Sequence, residues 1–310
     1  MPSLEARLRG GMLGLLLGDA LGVPYEFHPP EALPTTVEME PPGDFDRAHV
    51  GVPPGTWSDD GAQALALLAS LLHCGRFDAN DFGRRLVSWY EWGEYAVDGV
   101  VFDVGVQTAE AIRAIRAGTP ALEAASRDSS ANGNGSLMRV LPVALFAVGD
   151  DASLVADAFA SSAVTHAHPR AQLCCALYCL HVRALLEDVA DPLGEARRRL
   201  RASLHDEALT AELEYFVRPD ELQGGRGSGY VVDSLRSALD ALDAGDFEAV
   251  VRYAVRLGHD TDTTAAIAGG LAGVRDGLDA LPTAWPATLR GRELAEPLID
   301  ALVAHRAKGS

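Results

Sequence analysis

Cysteine is scarce in this chain of 310 residues: four, at 74, 174, 175 and 179, three of them inside one apolar segment. That distribution does not make a disulfide framework and points to a reducing compartment. Aromatic residues are only 6% of the chain, and the dominance of Ala, Leu and Gly favours helices over strands. Positive charge is in deficit, 26 Lys+Arg against 44 Asp+Glu, for a formal net charge of −18. A nucleic-acid backbone is therefore not an expected partner through bulk electrostatics. Long apolar runs are missing too, each being broken by Gly, Asp or Arg well before the roughly 20 residues that span a bilayer. No basic stretch followed by an apolar core and a cleavage site opens the sequence. A cytoplasmic, helical reading follows from composition alone; patterning sharpens it. There is no period-2 strand pattern, no fixed-period repeat and no linker, so the expectation is all-α and a single domain over residues 1–310.

What the chain does have is acid at two helix starts. Leu257-Gly258-His259-Asp260-Thr261-Asp262-Thr263-Thr264 precedes the small-residue run Ala265 to Gly273. A similar cluster, Thr56-Trp57-Ser58-Asp59-Asp60, opens the apolar run Ala62 to Leu72. Capping a helix needs one Ser, Thr or Asp, and these stretches supply several. Four carboxylates crowded together repel unless a cation sits between them. Oxygen donors of this kind suit Mg²⁺, Mn²⁺ or Ca²⁺. An EF-hand loop is excluded, because Ala265 and Leu271 stand where that loop needs Gly and Glu. Asp260-x-Asp262-x-Thr264 also resembles the nucleophile motif of haloacid-dehalogenase-type phosphatases, but Val250 to Leu257 reads as helix where that motif follows a strand. An HD phosphohydrolase dyad at His259-Asp260 is weaker still, because that site needs further histidines on other helices.

The rest of the chain supplies a frame for these two turns. Helices are expected over Leu4–Leu21, Ser58–Cys74, Asn80–Tyr95, Val106–Ala117, Val155–Val164, Arg170–Leu186, Val231–Leu242, Asp246–Leu257 and Leu289–His305. A further helix is expected from Leu137, with Pro142 just inside it. Gly10, Gly11, Gly14 and Gly18 in the first helix imply close approach of a neighbouring backbone, since each glycine otherwise costs about 1 kcal/mol against Ala. Residues 28–54 read as a long Pro- and Glu-rich loop, a class that is often functional. The loop Asn132-Gly133-Asn134-Gly135-Ser136 lacks the Lys-Ser/Thr ending of a P-loop. Its glycines beside a helix start still expose backbone N–H groups to an anion. His166 is placed to donate to a phosphate, His168 reads as structural, and Cys174, Cys175 and Cys179 as core thiols.

In order along the chain, five blocks resemble the ADP-ribosylglycohydrolase family, which includes dinitrogenase-reductase-activating glycohydrolase. They are Gly11-Met12-Leu13-Gly14…Gly18-Asp19-Ala20-Leu21-Gly22-Val23-Pro24…Glu26, Ser58-Asp59-Asp60, Asn132-Gly133-Asn134-Gly135-Ser136-x-Met138-Arg139-x-x-Pro142, Thr165-His166-x-His168, and Gly258-x-Asp260-Thr261-Asp262-Thr263. Gly227 to Asp233 fits as well. The resemblance implies an all-α orthogonal bundle with a binuclear Mg²⁺ or Mn²⁺ cleft, its ligands falling on Ser58, Asp59, Asp60, Asp260, Asp262 and Thr263. It places ADP-ribose against Asn134, Gly135, Ser136, Met138 and His166, with Tyr230 at the adenosine end. A loop carboxylate serves as acid/base, for which Glu26 and Asp103 are the candidates; Asp98 competes with Asp103 for that loop position. The implied activity is metal-dependent release of ADP-ribose from a modified side chain, arginine first, with serine-linked, nucleic-acid-linked and small-molecule substrates open. A non-catalytic ADP-ribose-binding or structural relative and a metal phosphohydrolase are the alternatives. The expected partner is an ADP-ribosylated protein or small molecule, and the expected state a monomer. One departure stands out: Gly61 replaces the Thr that many members have after the two aspartates.

Overall fold

The computed structural model describes residues 1–308 and contains fourteen α-helices with no strand among the described residues. In chain order these are α1 (Leu4–Gly22), α2 (Asp59–Cys74), α3 (Ala79–Trp92), α4 (Val106–Arg116), α5 (Leu141–Phe146), α6 (Asp151–Ala163) and α7 (Pro169–Leu186). The second half holds α8 (Pro192–Ser203), α9 (Glu207–Glu212), α10 (Val231–Leu242), α11 (Phe247–Arg256), α12 (Thr261–Asp276), α13 (Ala284–Thr288) and α14 (Arg292–Lys308). The all-α reading holds, and most helix bounds fall within a few residues of those expected.

Short polar side chains fix many of the starts. Asp78, Asp150, Asp191, Asp206 and Asp246 each accept a backbone N–H in the first turn of α3, α6, α8, α9 and α11, the ordinary capping role of aspartate. Two expected bounds shift. The helix expected from Leu137 begins only at Leu141, and Pro142 occupies its first turn, where a missing N–H costs nothing. The last helix starts at Arg292 because Gly291, with φ +69°, breaks the chain before it.

The glycines of α1 explain the centre of the fold. Helices α1 and α12 run antiparallel with backbones in contact at four steps of one turn. A Cβ on Gly10 would lie 2.4 Å from Gly273 O, on Gly14 2.3 Å from Gly269 O, and on Gly18 2.0 Å from Ala265 O. At the last step a Cβ on Gly22 would meet Asp262 Cα at 2.3 Å. The pair is wrapped in a continuous apolar cluster including Leu8, Met12, Leu15, Leu16, Leu271 and Val274. Helix α7 is buried along most of its length, and Cys174, Cys175 and Cys179 pack into that core.

This contact gives a stability test. Gly14→Ala must push α1 off α12, because the new methyl group meets backbone carbonyl and the Phe247 ring. The expected loss is about 3 kcal/mol, at the upper end of overpacking penalties, read as a lower denaturant midpoint with unchanged slope. Gly43→Ala is the control, since nothing lies within 4 Å of a Cβ there.

Candidate functional site

Three helix ends converge where the α1–α12 contact stops. Asp19, near the end of α1, is fully buried and accepts from Ser58 N and Gly61 N, both at 2.8 Å. One carboxylate thereby docks the start of α2 against α1. Ser58 caps α2 and donates Oγ to Asp60 Oδ2 at 3.0 Å. Across the gap Thr263 Oγ1 donates to the same oxygen at 3.3 Å. Asp260 occupies the capping position of α12 yet makes no capping bond, unlike the other aspartate caps. Its Oδ2 instead accepts from Asn134 Nδ2 at 2.7 Å. At this helix start, capping does not account for the acid.

Glu26 arrives by another route. After the turn Val23–Tyr25 the chain runs alongside the residue before Asp260: Phe27 N donates to His259 O and His259 N to His28 O, both at 2.7 Å. Glu26 is 5% exposed, and His49 Nε2 lies 2.6 Å from its Oε2. Asp103 sits at φ +57° in the loop before α4. That loop region is tied to α2 by Trp57 Nε1, which donates to Tyr95 O.

The acids form groups that can hold cations. Oxygens of Asp19, Asp60 and Asp262 lie within 4.8 Å of one another, as do those of Glu26, Asp260 and Asp262. A third group joins Glu26, His49 and Asp103. Asp60 Oδ1 and Asp262 Oδ2 are buried without a hydrogen-bond partner. None of the aspartates here is paired with an arginine or lysine among the described residues. Burial, then the neighbouring carboxylates, raises Asp59, Asp60 and Asp262 well above the usual range. Burial lifts Asp19 to about 7, and burial together with Asp103, Asp260, Asp60 and Asp19 lifts Glu26 to about 10. Buried, like-charged and partly orphaned oxygens are the donor set a hard divalent cation satisfies.

Beside these acids lies a cavity of about 440 Å³, lined by Glu26, Asp59, Asp103, Asp260 and Thr263 and by Gly133, Asn134, Gly135, Met138 and His166. Its size falls in the range of small-molecule sites. Asp98, the rival of Asp103, is instead on the surface in an ion pair with Arg290. The histidine is fully buried, and burial with nearby Arg139 pushes it down to about 3, leaving a neutral ring.

The sequence pattern of ADP-ribosylglycohydrolases matches residues 1–310. The chain belongs to the ADP-ribosylglycohydrolase family. Members of that family are hydrolases, and this protein is an enzyme of that class. It is 34% identical to the ADP-ribosylarginine hydrolase Tri1 of Pseudomonas putida over 90% of this chain and 73% of the relative. It is 30% identical to the ADP-ribosyl-[dinitrogen reductase] glycohydrolase of Rhodospirillum rubrum, over 98% of this chain and 97% of that one. A solved ADP-ribosylglycohydrolase-related protein complex superposes with a TM-score of 0.77 at 32% identity, covering 97% of this chain and 98% of the other. No helix among the described residues is long and apolar enough to cross a membrane.

Not every expected residue of this ADP-ribosylglycohydrolase faces the cavity. Ser136 turns inward, its Oγ accepting from Ser162 Oγ at 2.8 Å. Asn134 lines the cavity, but its amide nitrogen is taken by Asp260 and Ser234. Tyr230 is half-exposed beside the cavity, bridged to Gly133 through the backbone and bonded through its hydroxyl to Arg170. Sequence reading missed three contributors. Asp19 was hidden as an acid inside an apolar run, a signal available in the sequence. His49 sits in a loop without any motif. Gln63, one turn beyond Asp59, donates to Asp59 Oδ2 at 2.6 Å. The departure at Gly61 has a packing cause: a Cβ there would lie 2.7 Å from Leu16 and 2.8 Å from Trp57.

Proposed function

We propose that the protein removes ADP-ribose from modified arginine side chains. Two divalent cations, Mg²⁺ or Mn²⁺, would be held by Ser58, Asp59, Asp60, Asp260, Asp262 and Thr263. The observation that carries this reading is the meeting of two acidic helix starts, with orphaned buried oxygens, at the edge of a cavity that also holds the glycine loop and His166. When bound, the cations supply Lewis acidity toward ribose hydroxyls and water.

The chain's own groups do the rest. Gly135 leaves room beside His166, where a Cβ would come within 2.8 Å of the ring; a diphosphate fits against that open backbone. Cleavage at the anomeric carbon builds positive charge on the ribose ring, which the surrounding carboxylates favour. Glu26, held by His49, gives a proton to the departing nitrogen and takes one from the attacking water, the role of a positioned carboxyl group. Asp103 shares that corner and assists. A guanidinium is planar and permanently cationic, and the Glu26–Asp103 side of the cavity complements it. The relative from Pseudomonas putida is an ADP-ribosylarginine hydrolase by name, which points the same way.

One assay tests the reading. ADP-ribosylated arginine, ADP-ribosylated serine and a phosphomonoester are incubated with the protein, with and without Mg²⁺ or Mn²⁺. Free ADP-ribose from the arginine substrate, only with metal, is the expected result. Faster release from serine would overturn the linkage. Phosphate release alone would indicate a phosphohydrolase, and bound ADP-ribose with no product a non-catalytic role.

A further inference from the structure

We infer that Thr165, anchored by Arg139, fixes the ring tautomer of His166 so that its Nε2–H points into the cavity as a hydrogen-bond donor. The inference deepens the proposed function, because it assigns a donor to the diphosphate end of ADP-ribose. It rests on that reading only for the identity of the anion.

The argument is one of donor and acceptor counting in a closed space. Arg139 is 1% exposed and lies over the Phe82 ring, with Cζ 5.1 Å from its centroid. Its Nη2 donates to Thr165 Oγ1 at 2.6 Å, and its Nη1 to Gln63 Oε1 at 2.5 Å. A guanidinium has no acceptor, so the direction of both bonds is fixed. Thr165 Oγ1 also lies 2.8 Å from His166 Nδ1, and Thr165 is 1% exposed. The hydroxyl has one hydrogen, and among the described residues the ring nitrogen is its only bonded acceptor. If Nδ1 carried the proton instead, the Thr165 hydrogen would be buried without an acceptor, a costly arrangement. Nδ1 therefore accepts, and in a neutral imidazole the other nitrogen must donate. That nitrogen faces the glycine loop: Cβ atoms on Gly133 and Gly135 would lie 3.4 and 3.3 Å from it. No protein acceptor is bonded to it among the described residues, and the ring lines the cavity.

The same guanidinium orders the other end of the site. With Gln63 Oε1 engaged by Arg139, the amide nitrogen is left to donate to Asp59 Oδ2 at 2.6 Å. Arg139 thus links the Asp59 carboxylate to the His166 ring through one residue on each side. Thr165 and Arg139 are positioning residues, acting through groups that reach the cavity.

The test is spectroscopic and does not depend on turnover. Long-range ¹H–¹⁵N correlation on histidine-labelled protein reads which ring nitrogen carries the proton, with His166→Asn identifying the signal among the nine histidines. The expected wild-type pattern is the Nε2–H tautomer. Thr165→Val, similar in shape, removes the hydroxyl that holds Nδ1 as an acceptor, so the Nδ1 resonance loses its hydrogen-bonded shift and the tautomer is no longer fixed. Its affinity for ADP-ribose by calorimetry falls about tenfold, the size of one hydrogen bond, while the metal-induced thermal shift persists. Thr165→Ser restores tautomer and affinity. An Nδ1–H ring in the wild type, or a Thr165→Val spectrum unchanged from it, would overturn the inference. An Nε2–H ring that responds to Thr165→Val in a protein that fails to bind ADP-ribose would instead overturn the proposed function and leave the relay standing.

Discussion

Asp60→Asn and Asp262→Asn are each expected to abolish turnover and metal-induced thermal stabilisation while making the metal-free protein more stable. The two halves of that result have one cause. Both carboxylates are fully buried, and each has one oxygen without a hydrogen-bond partner. Burial and neighbouring carboxylates disfavour their charged forms. Without a cation that arrangement costs stability, since buried like charges are paid neither by water nor by a partner. An Asn at 60 keeps an acceptor for Ser58 and Thr263 and adds a donor toward Asp262. A gain of about 1–2 kcal/mol is expected, raising the melting temperature by a few degrees, about 2 °C per kcal/mol in a chain of this size. Ligand binding stabilises the native state by mass action, so loss of the ligand set removes the response to Mg²⁺ or Mn²⁺. Differential scanning fluorimetry with and without metal separates the terms. A wild type indifferent to both ions, or an Asp262→Asn variant that still responds, would remove the metal centre from the account.

Glu26→Gln is expected to slow turnover by about 10²–10⁴-fold, the usual worth of a positioned acid/base group, with the thermal response to metal retained. Gln keeps the shape and a hydrogen-bonding contact to His49, which lies 2.6 Å from the carboxylate in the wild type, but it carries no transferable proton. Asp98→Asn is the control, because Asp98 is an exposed partner of Arg290 away from the cavity. Equal losses in Glu26→Gln and Asp98→Asn would show that charge on this face, rather than proton transfer at Glu26, sets the rate. Loss of the metal response in Glu26→Gln would make Glu26 a ligand.

Local order was legible wherever its cause was local. The α10 span Val231–Leu242 was read without error, because its apolar spacing has an unambiguous period. The apolar setting of the α7 cysteines marks them as core thiols, and all three are buried without a disulfide. The glycines of α1 signalled a close neighbour, though not which one. Reading failed where a distant group overrides a local preference. The acid at Asp260 was legible as more than a cap, but not its partner: Asn134, 126 positions away in sequence, donates to its oxygen. The stretch from Leu137 looks helical by pattern, yet Leu137 N and Met138 N both bond Asn134 O in a turn, and the helix waits for Pro142.

By itself the sequence determined an all-helical chain, two acid-rich helix starts and a glycine-lined helix able to approach another backbone. These follow from side-chain chemistry and from periods within a dozen residues. Only the tertiary structure decided that the glycine helix pairs with α12, that Asp19 clamps α2 beside it, and that His49 meets Glu26. Each joins residues far apart in the chain, and no local periodicity records which of many compatible partners a buried carboxylate or a bare backbone will meet.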